Sequence, residues 1–511
     1  MRRNILFITT DQQRYDALGC NGGRVARTPV VDRWAAEGIR YTRAHVQNVV
    51  CMPSRATMIT GQHVSSHGVW ANGVALPVET PNVAALLNDA GYRTALIGKA
   101  HFEPAIIPSF PENQLAMMGS TGPRRGFDHM ELSMHGPQPL WHYGRWLMQT
   151  APAALPGFYP VVKPVGGKLV VNGDGGGDTG ACQVKHNPVA RALYHTDWVA
   201  DRATAFLDGI EGDQPWFLWA SFPDPHHPWD PPQAELARHP WQETELPEFY
   251  PGSAEAARAL LAGKPHHWAD WFEGRKVSNY EAPPEFVPAA MTPDQIREIN
   301  AAIHVKNELI DEACGRIWQA IAAHGWDRNT DIVFTTDHGE FQGEFGLLFK
   351  GPYHVDALMR VPLLWRPAAC AEALSAVVEA PVGLVDLAPT FCQIAGLPAP
   401  DWMEGAPLPQ DAGAAGRRGH VFTEWDSELD EISLHLKSVC AEGFVLTLYE
   451  KSSEYDGSEG ELYDLARDPG QRVNRWDDPN LAELRRRLVA LIDTDLPNRA
   501  TPKRLPQVGP V

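Results

Sequence analysis

Short apolar runs alternate with amphipathic stretches along most of this chain, and this alternation restricts its fold more than any other feature. Residues 4–10 form a continuous apolar run of the kind that is buried in a parallel sheet. Further strands are predicted at 92–98, 216–221 and 331–336, and helices at 28–38, 80–91, 195–207 and 292–325. Strands that alternate with helices predict an α/β fold with a large, mostly parallel sheet covered by helices on both faces.

Two long segments interrupt the alternation, at about 104–190 and 229–291, and both are rich in proline, glycine and aromatic residues. Loops of this length are often functional lids or interfaces. We therefore predict a large domain over residues 1–400 with two insertions. Residues 401–511 follow a Pro- and Gly-rich linker and carry short strand-like runs and a final helix near 481–492, which predicts a small C-terminal α+β subdomain with an antiparallel sheet.

Charge and composition exclude several kinds of partner. The 511 residues carry a net charge of -19, which argues against nucleic acids and anionic membranes, so an anionic substrate would need a local basic pocket or a metal ion. The apolar run after Arg2 and Arg3 is too short for a signal peptide, and no stretch is long enough to span a membrane. Seven widely spaced cysteines without a Cys-x-x-Cys pair favour a reducing compartment, so we expect a cytoplasmic protein.

The segment Cys51-Met-Pro-Ser-Arg55, followed by Thr60-Gly61, is the most informative motif for chemistry. Pro53 suits the first turn of a helix, so Cys51 is expected at a helix N-terminus, where free backbone amides favour an anion. A lone cysteine in such a place is usually a buried small hydrophobe or a modest thiol nucleophile. The complete motif favours a special role for this cysteine.

Polar residues follow two of the predicted strands directly. Asp11 and Gln12 come after the first strand, and Asp337 and His338 come after the strand at 331–336. The carboxyl ends of parallel strands lie along one edge of a sheet, where sites commonly form. Carboxylate, amide and imidazole groups together suit one divalent cation, calcium or manganese, better than a closed zinc site.

The cysteine motif resembles the signature of the sulfatase family, which belongs to the alkaline phosphatase superfamily. The resemblance extends over most of the chain, through the opening residues 4–12 and the segments Gly98–His101, Ser221–Pro228, Thr336–Glu340, Lys350–Pro352, Arg360–Pro362 and Glu461–Leu465. It implies an alkaline phosphatase-like fold and a cofactor, formylglycine, made from Cys51 by a formylglycine-generating enzyme. It also implies a role for each matching residue: metal ligation by Asp11, Gln12, Cys51, Asp337 and His338, anchoring of the formylglycine by Arg55, and contact with the transferred group by Lys99, His101, His226 and Lys350.

The resemblance implies hydrolysis of aryl or alkyl sulfate monoesters, with release of inorganic sulfate. In that reading Lys99 and Lys350 stabilise charge on the sulfuryl oxygens, His226 protonates the departing alcohol, and His101 helps to restore the aldehyde of formylglycine. Asn72 is equally well read as a turn residue or as a substrate contact. His227 is read as a neighbour that packs beside His226.

Two alternatives remain open. A phosphonate monoester or phosphodiester hydrolase would share the formylglycine and the metal site, but relatives of that kind carry Tyr-x-Thr where this chain has Lys99-Ala-His101. The cationic pair favours sulfate, with side activity toward phosphonate monoesters and phosphodiesters. A metal-binding paralogue without catalysis is the second alternative, although every expected catalytic position is filled here.

The leaving group is not determined by the sequence. Aromatic residues crowd the two insertions and either contact an aryl or quaternary ammonium group or belong to the core or to a subunit interface; they are Trp141, Trp146, Trp229, Trp268, Trp271 and Tyr280. These loops and the C-terminal tail indicate self-association into a homo-oligomer.

Overall fold

The computed structural model describes residues 2–165, 168–276, 282–369, 376–411, 418–429, 432–497, 503 and 506. The helices are α1 Pro29–Glu37, α2 Cys51–Thr60, α3 Val64–His67, α4 Val83–Asp89, α5 Pro111–Met117, α6 His142–Thr150, α7 His195–Asp208, α8 Ala254–Leu261, α9 His266–Phe272, α10 Pro293–Ala323, α11 Asp356–Met359, α12 Leu387–Ala395 and α13 Ala482–Asp495. Within the described ranges, none of these helices is long and apolar enough to cross a membrane.

The strands are β1 Asn4–Asp11, β2 Ile39–Tyr41, β3 Ala44–His45, β4 Arg93–Gly98, β5 His129–Leu132, β6 Val162–Val165, β7 Lys168–Val171, β8 Gly175–Gly176, β9 Ala181–Cys182, β10 Trp216–Pro225, β11 Thr330–Thr336, β12 Leu363–Arg366, β13 Ala376–Val378, β14 Val382–Gly383, β15 His420–Leu429, β16 Ile432–Ala441, β17 Phe444–Tyr449 and β18 Gly460–Asp464. Eight of them form the central sheet in the order β13-β2-β12-β11-β1-β10-β4-β5. Neighbouring strands are parallel except on both sides of β12, which runs antiparallel to β11 and to β2.

Hydrophobic clusters cover both faces of this sheet. Along β1, Ile5 and Phe7 pack into one cluster, whereas Leu6 and Ile8 pack into the other. Successive side chains of a strand point to opposite faces, so a fully apolar strand is stable only where both faces are covered. The predicted α/β fold with a large, mostly parallel sheet is confirmed.

Most predicted elements are present with shifted ends. The strand predicted at 216–221 continues to Pro225, and α10 begins after a capping box in which the side chains of Thr292 and Gln295 satisfy each other's backbone amides. The helix predicted from residue 80 begins only at Val83. There the side chain of Asn82, rather than Thr80, accepts the amide hydrogen of Ala85 at 3.0 Å.

The segment 104–190 contributes a strand to the central sheet that the sequence analysis did not predict. Strand β5 pairs in parallel with β4 and forms one edge of the sheet. It has only four residues, His-Met-Glu-Leu, and it lacks the apolar run by which the other parallel strands were recognised.

The C-terminal region forms the expected antiparallel sheet and helix. Strands β15 to β18 pair in sequence order, and one face of this sheet packs on α13 through Phe422 and Leu446. The other face, with Val421 and Val445, belongs to the same hydrophobic cluster as the large domain. The C-terminal sheet therefore shares a core with the rest of the chain.

The indole rings of the two insertions lie mainly in the core. Trp141, Trp229, Trp268 and Trp271 are each at most 4% exposed, and Trp146 packs against one of the two main clusters. The tryptophans therefore belong to the hydrophobic core, which is one of the alternatives given by the sequence. Tyr280 and the tail at 507–511 lie outside the described residues.

Candidate active site

Four strands of the central sheet end at one edge, and each delivers polar side chains there. Asp11 ends β1, Lys99 follows β4, His226 follows β10, and Asp337 and His338 follow β11. All of these residues are at most 6% exposed. The convergence predicted from the strand ends is present, and it creates a buried polar centre beside a largely apolar core.

Cys51 is the first residue of α2, which enters this centre with its N-terminus. The ten residues of the helix are all buried, and Gly61 ends it with a φ of 68°, a conformation that favours glycine. The sulfur of Cys51 lies 3.2 Å from Nε2 of His338 and 3.7 Å from Oδ1 of Asp11. Burial and then the charge of Asp11 raise the pKa of this thiol to about 12, so an unmodified Cys51 stays protonated and is a poor nucleophile.

Asp11, Cys51, Asp337 and His338 form a group whose possible ligand atoms all lie within 4.8 Å of one another. Burial and then the charge of Asp337 raise the pKa of Asp11 to about 6, because two carboxylates share a site from which water is excluded. Burial lowers the pKa of His338 to about 3, which leaves a neutral ring nitrogen for ligation. Two carboxylates that repel each other and one neutral imidazole are suitable ligands for a divalent cation.

Arg55 ties the helix to the strand ends. Its side chain is fully buried; Nε donates to Oδ2 of Asp337 at 2.8 Å, and Nη1 donates to the backbone oxygen of Lys99 at 2.7 Å and to Oγ of Ser221 at 2.9 Å. Burial alone would raise the pKa of Asp337, but the neighbouring His338 ring and the charge of Arg55 hold it well below its usual range. Arg55 therefore fixes the position of α2 and keeps one carboxylate ionised.

Two lysines place positive charge close to Cys51. Lys99 donates to Oδ2 of Asp11, and Lys350 donates to Oε1 of Gln12 at 2.8 Å and lies 2.9 Å from Nε2 of His226. The Gln12 amide group donates in turn to Glu340. Cationic side chains thus gather close to Cys51 although the whole chain is strongly acidic, and an anionic substrate needs such local positive charge.

His226 and His101 both face this centre, and the ring of His227 stacks on that of His226 at 3.9 Å. The ring of His226 points to Lys350, whereas His227 packs edge-on against Phe349 at a ring distance of 4.8 Å. Among the described residues, neither ring nitrogen of His101 has a hydrogen-bond partner, although the residue is only 5% exposed. Burial and the charge of Lys99 lower the pKa of His101 well below its ordinary value, so the ring is neutral and carries one nitrogen with a free lone pair.

His135 is a further residue of this centre, and the sequence analysis missed it. Its Nε2 lies 2.9 Å from the ammonium of Lys99 and 3.7 Å from Oδ2 of Asp11, and its ring stacks on that of His226 at 3.8 Å. It follows β5 by three residues, at the same sheet edge as the other site residues. The rule that located Asp11 and Asp337 would have located His135 as well, had β5 been predicted.

Backbone strain is concentrated around the same centre. Gln12, His101 and Phe349, the last directly before Lys350, have φ values of 63°, 55° and 65°, which non-glycine residues rarely adopt. Gly98 has a φ of 109°, and a Cβ there would lie 1.8 Å from the backbone oxygen of Ser221. Only glycine allows β4 to end so close to β10 and turn Lys99 toward the site.

Asn72 lies next to α2, and its side-chain oxygen accepts the backbone amide of Met52 at 2.9 Å. This bond satisfies one of the free amides of the helix N-terminus. The structure therefore brings Asn72 close to Cys51. All eleven residues singled out from the sequence lie around one centre. They are Asp11, Gln12, Cys51, Arg55, Asn72, Lys99, His101, His226, Asp337, His338 and Lys350.

Comparison with known proteins agrees with this geometry. The model of the sulfatase family matches residues 3–397, and the model of the C-terminal region of N-sulphoglucosamine sulphohydrolase matches residues 343–495. An uncharacterized sulfatase of Escherichia coli (strain K12) is 26% identical over 498 residues, which cover 96% of this chain and 87% of the relative. An arylsulfatase of Clostridium perfringens (strain 13 / Type A) is 26% identical over 485 residues, with 93% and 90% covered.

Among solved structures, the phosphonate monoester hydrolase of Agrobacterium radiobacter superposes with a TM-score of 0.78 at 25% sequence identity. The superposition covers 97% of this chain and 96% of that chain.

Proposed function

Because the chain belongs to the sulfatase family and is a sulfuric ester hydrolase, we propose that it cleaves aryl or alkyl sulfate monoesters through a formylglycine made from Cys51. The observation that carries the proposal is the position of Cys51. Its sulfur lies at the N-terminus of α2, within 4 Å of a carboxylate and an imidazole, and the charges of Lys99 and Lys350 act on it. The raised pKa of the thiol argues against direct attack by sulfur, whereas an aldehyde hydrate at this position would supply hydroxyl groups instead.

In the proposed reaction the cationic side chains bind the ester. Lys99 and Lys350 hold the sulfuryl oxygens and stabilise the negative charge that grows during transfer. His226, which shares a hydrogen bond with Lys350, donates a proton to the oxygen of the departing alcohol. His101, whose ring nitrogens have no partner among the described residues, accepts a proton from the hydroxyl group at residue 51.

A divalent cation, calcium or manganese, would be held by Asp11, Asp337, His338 and residue 51. When bound, it would supply positive charge that lowers the pKa of an adjacent hydroxyl group and offsets the repulsion between the two carboxylates. Gln12 is proposed as a further ligand through its amide oxygen, which Lys350 contacts at present. Asn72 is proposed as a substrate contact, because its bond to the backbone amide of Met52 places it beside residue 51.

Hydrolysis of an aryl sulfate and of the matching aryl phosphonate monoester tests the proposal. The enzyme is co-expressed with a formylglycine-generating enzyme, and Cys51→Ala serves as the control. Faster turnover of the sulfate, lost in the control, is the expected result. The mass of the peptide that contains Cys51 must also fall, because conversion replaces the thiol sulfur and two hydrogens by one oxygen.

The same experiment decides between the alternatives. The similarity to a phosphonate monoester hydrolase favours side activity toward phosphonate monoesters and phosphodiesters, and a faster phosphonate reaction would make that the main function. An unconverted Cys51 without turnover would favour the non-catalytic metal-binding paralogue. Self-association and a cytoplasmic location stay predictions, which gel filtration and fractionation of the native cells would test.

A further inference from the structure

A cavity of about 620 Å³ opens beside the active site and extends away from it. Its walls come from the segment that follows β5, from α6 and from the chain between α6 and β6. We call it the proline pocket, and its main apolar lining residues are Pro137, Pro139, Met148, Leu155, Phe158 and Val161. A cavity of this size is sufficient for a small organic group.

The proline pocket and the catalytic centre share the side chain of His135. One side of this ring lines the pocket, while Nε2 lies 2.9 Å from Lys99 and the ring face stacks on His226. The side chain of His135 is 13% exposed, whereas those of Asp11 and Lys99 are fully buried. The pocket therefore begins next to His226, the residue proposed to protonate the departing oxygen, where the leaving group must lie.

Two polar side chains in the lining, Lys185 and Tyr159, are already engaged, and Gln138 adds one amide group. The ammonium of Lys185 donates to the backbone oxygens of Pro156 and Phe158 at 2.8 and 2.9 Å, and the hydroxyl of Tyr159 donates to the backbone oxygen of Asp174 at 2.8 Å. Among the described residues that line the pocket, none has a carboxylate side chain. A sugar would find few partners for its hydroxyl groups there, and a quaternary ammonium group would find no counter-charge.

We propose that the proline pocket binds the leaving group of the substrate and selects an uncharged, apolar one, such as a fused aromatic ring. The inference rests on the proposed hydrolysis of sulfate monoesters and adds the class of ester to it. Contact with apolar walls removes the leaving group from water, while the sulfuryl group stays with Lys99 and Lys350. The selected substrate is therefore neutral except at its sulfate.

Two substitutions place a charge in the pocket without disturbing the fold. Met148, on α6, is 46% exposed, and Val161 is partly exposed, so Met148→Glu and Val161→Glu leave the core intact. Met118 directly follows α5, is 75% exposed and lies outside the pocket lining. Met118→Glu is thus the matched control for the same change of side chain.

The test compares kcat/KM for 2-naphthyl sulfate, phenyl sulfate and glucose 6-sulfate. The two aryl esters have leaving groups of similar acidity, so their ratio reports on apolar contact. We expect kcat/KM for the naphthyl ester to exceed that for the phenyl ester by about tenfold or more, because the second ring buries additional apolar area. Met148→Glu and Val161→Glu should remove most of this preference through KM, and Met118→Glu should keep it. A preference for glucose 6-sulfate, or a ratio that neither pocket variant changes, would overturn the proposal.

Binding separates this inference from the chemistry on which it rests. Fluorescence titration with 2-naphthol is carried out on Cys51→Ala, alone and combined with each of the three substitutions. Binding that the two pocket substitutions weaken, together with failure of every sulfate ester to react, would refute the proposed reaction and support the pocket. Absence of binding, or binding indifferent to the pocket substitutions, would refute the pocket even if sulfate esters are hydrolysed.

Discussion

Lys306, in the middle of α10, holds the loop that carries His226, and its replacement by methionine should damage both stability and activity. The side chain is 1% exposed, and its ammonium contacts Oδ1 of Asp224 at 2.8 Å and the backbone oxygens of His226 and Pro228 at 2.9 and 2.7 Å. Burial alone would raise the pKa of Asp224, but the charges of His195 and Lys306 hold it well below its usual range. The loop and the helix are thus joined by one cation.

The structure allows an estimate of the effect of Lys306→Met. Removing one partner of a buried ion pair costs about 3–5 kcal/mol, because the other charge is left in a medium of low polarity. His195 still lies 3.0 Å from Asp224 after the change, so we expect the lower end, about 3 kcal/mol. The two backbone oxygens also lose their donor, and a displacement of His226 by ~1 Å would lower kcat on the order of 100-fold.

Urea unfolding and turnover of phenyl sulfate measure these two effects. Lys437→Met is the control, because that lysine is 35% exposed and pairs with the exposed Glu450 at 2.7 Å; its loss should cost about 0–1 kcal/mol. Lys306→Arg should recover part of the stability by keeping the charge. If Lys306→Met is no less stable than Lys437→Met and turns over at the wild-type rate, Lys306 does not position His226.

Three further predictions concern Arg55, the metal ion and Lys264. Arg55→Met removes the cation that orients Asp337, so metal affinity measured by titration should fall about 10- to 100-fold. Unchanged affinity would show that Arg55 does not support the metal site. Dialysis against a chelator should abolish turnover and lower the thermal midpoint, and calcium or manganese should restore both; at 100 times Kd the ion adds about 2.7 kcal/mol. Burial lowers the pKa of Lys264 from 10.5 to about 8, so between these pH values the unfolded chain binds more protons. The stability of the wild type relative to Lys264→Met should therefore rise with pH by up to about 1.4 kcal/mol per pH unit, and equal slopes would contradict this reading.

The parts of the fold and of the site that depend on neighbours along the chain could be predicted from local patterns. The apolar run of β1 and the capping signals of α10 act within a few residues, so their patterns were readable. The motif around Cys51 could be recognised for the same reason. Cys51 and Arg55 are four residues apart, so they lie on one face of α2, one helical turn from each other. Residues directly after apolar strands were also predictable, since parallel strands must end at a common edge.

Contacts between distant groups could not be predicted in this way, because they depend on packing between remote elements. Strand β5 is short and lacks an apolar run, and it is a strand because β4 offers it an unpaired edge; His135 enters the site only through that pairing. The sequence did not show whether the indole rings of the insertions point to the core or to solvent. In the structure they pack against the core. The proline pocket likewise joins residues from 135 to 185, because its walls are set by packing between segments that carry no shared pattern. Local patterns fix elements and their ends, whereas contacts between remote elements depend on how the whole core closes.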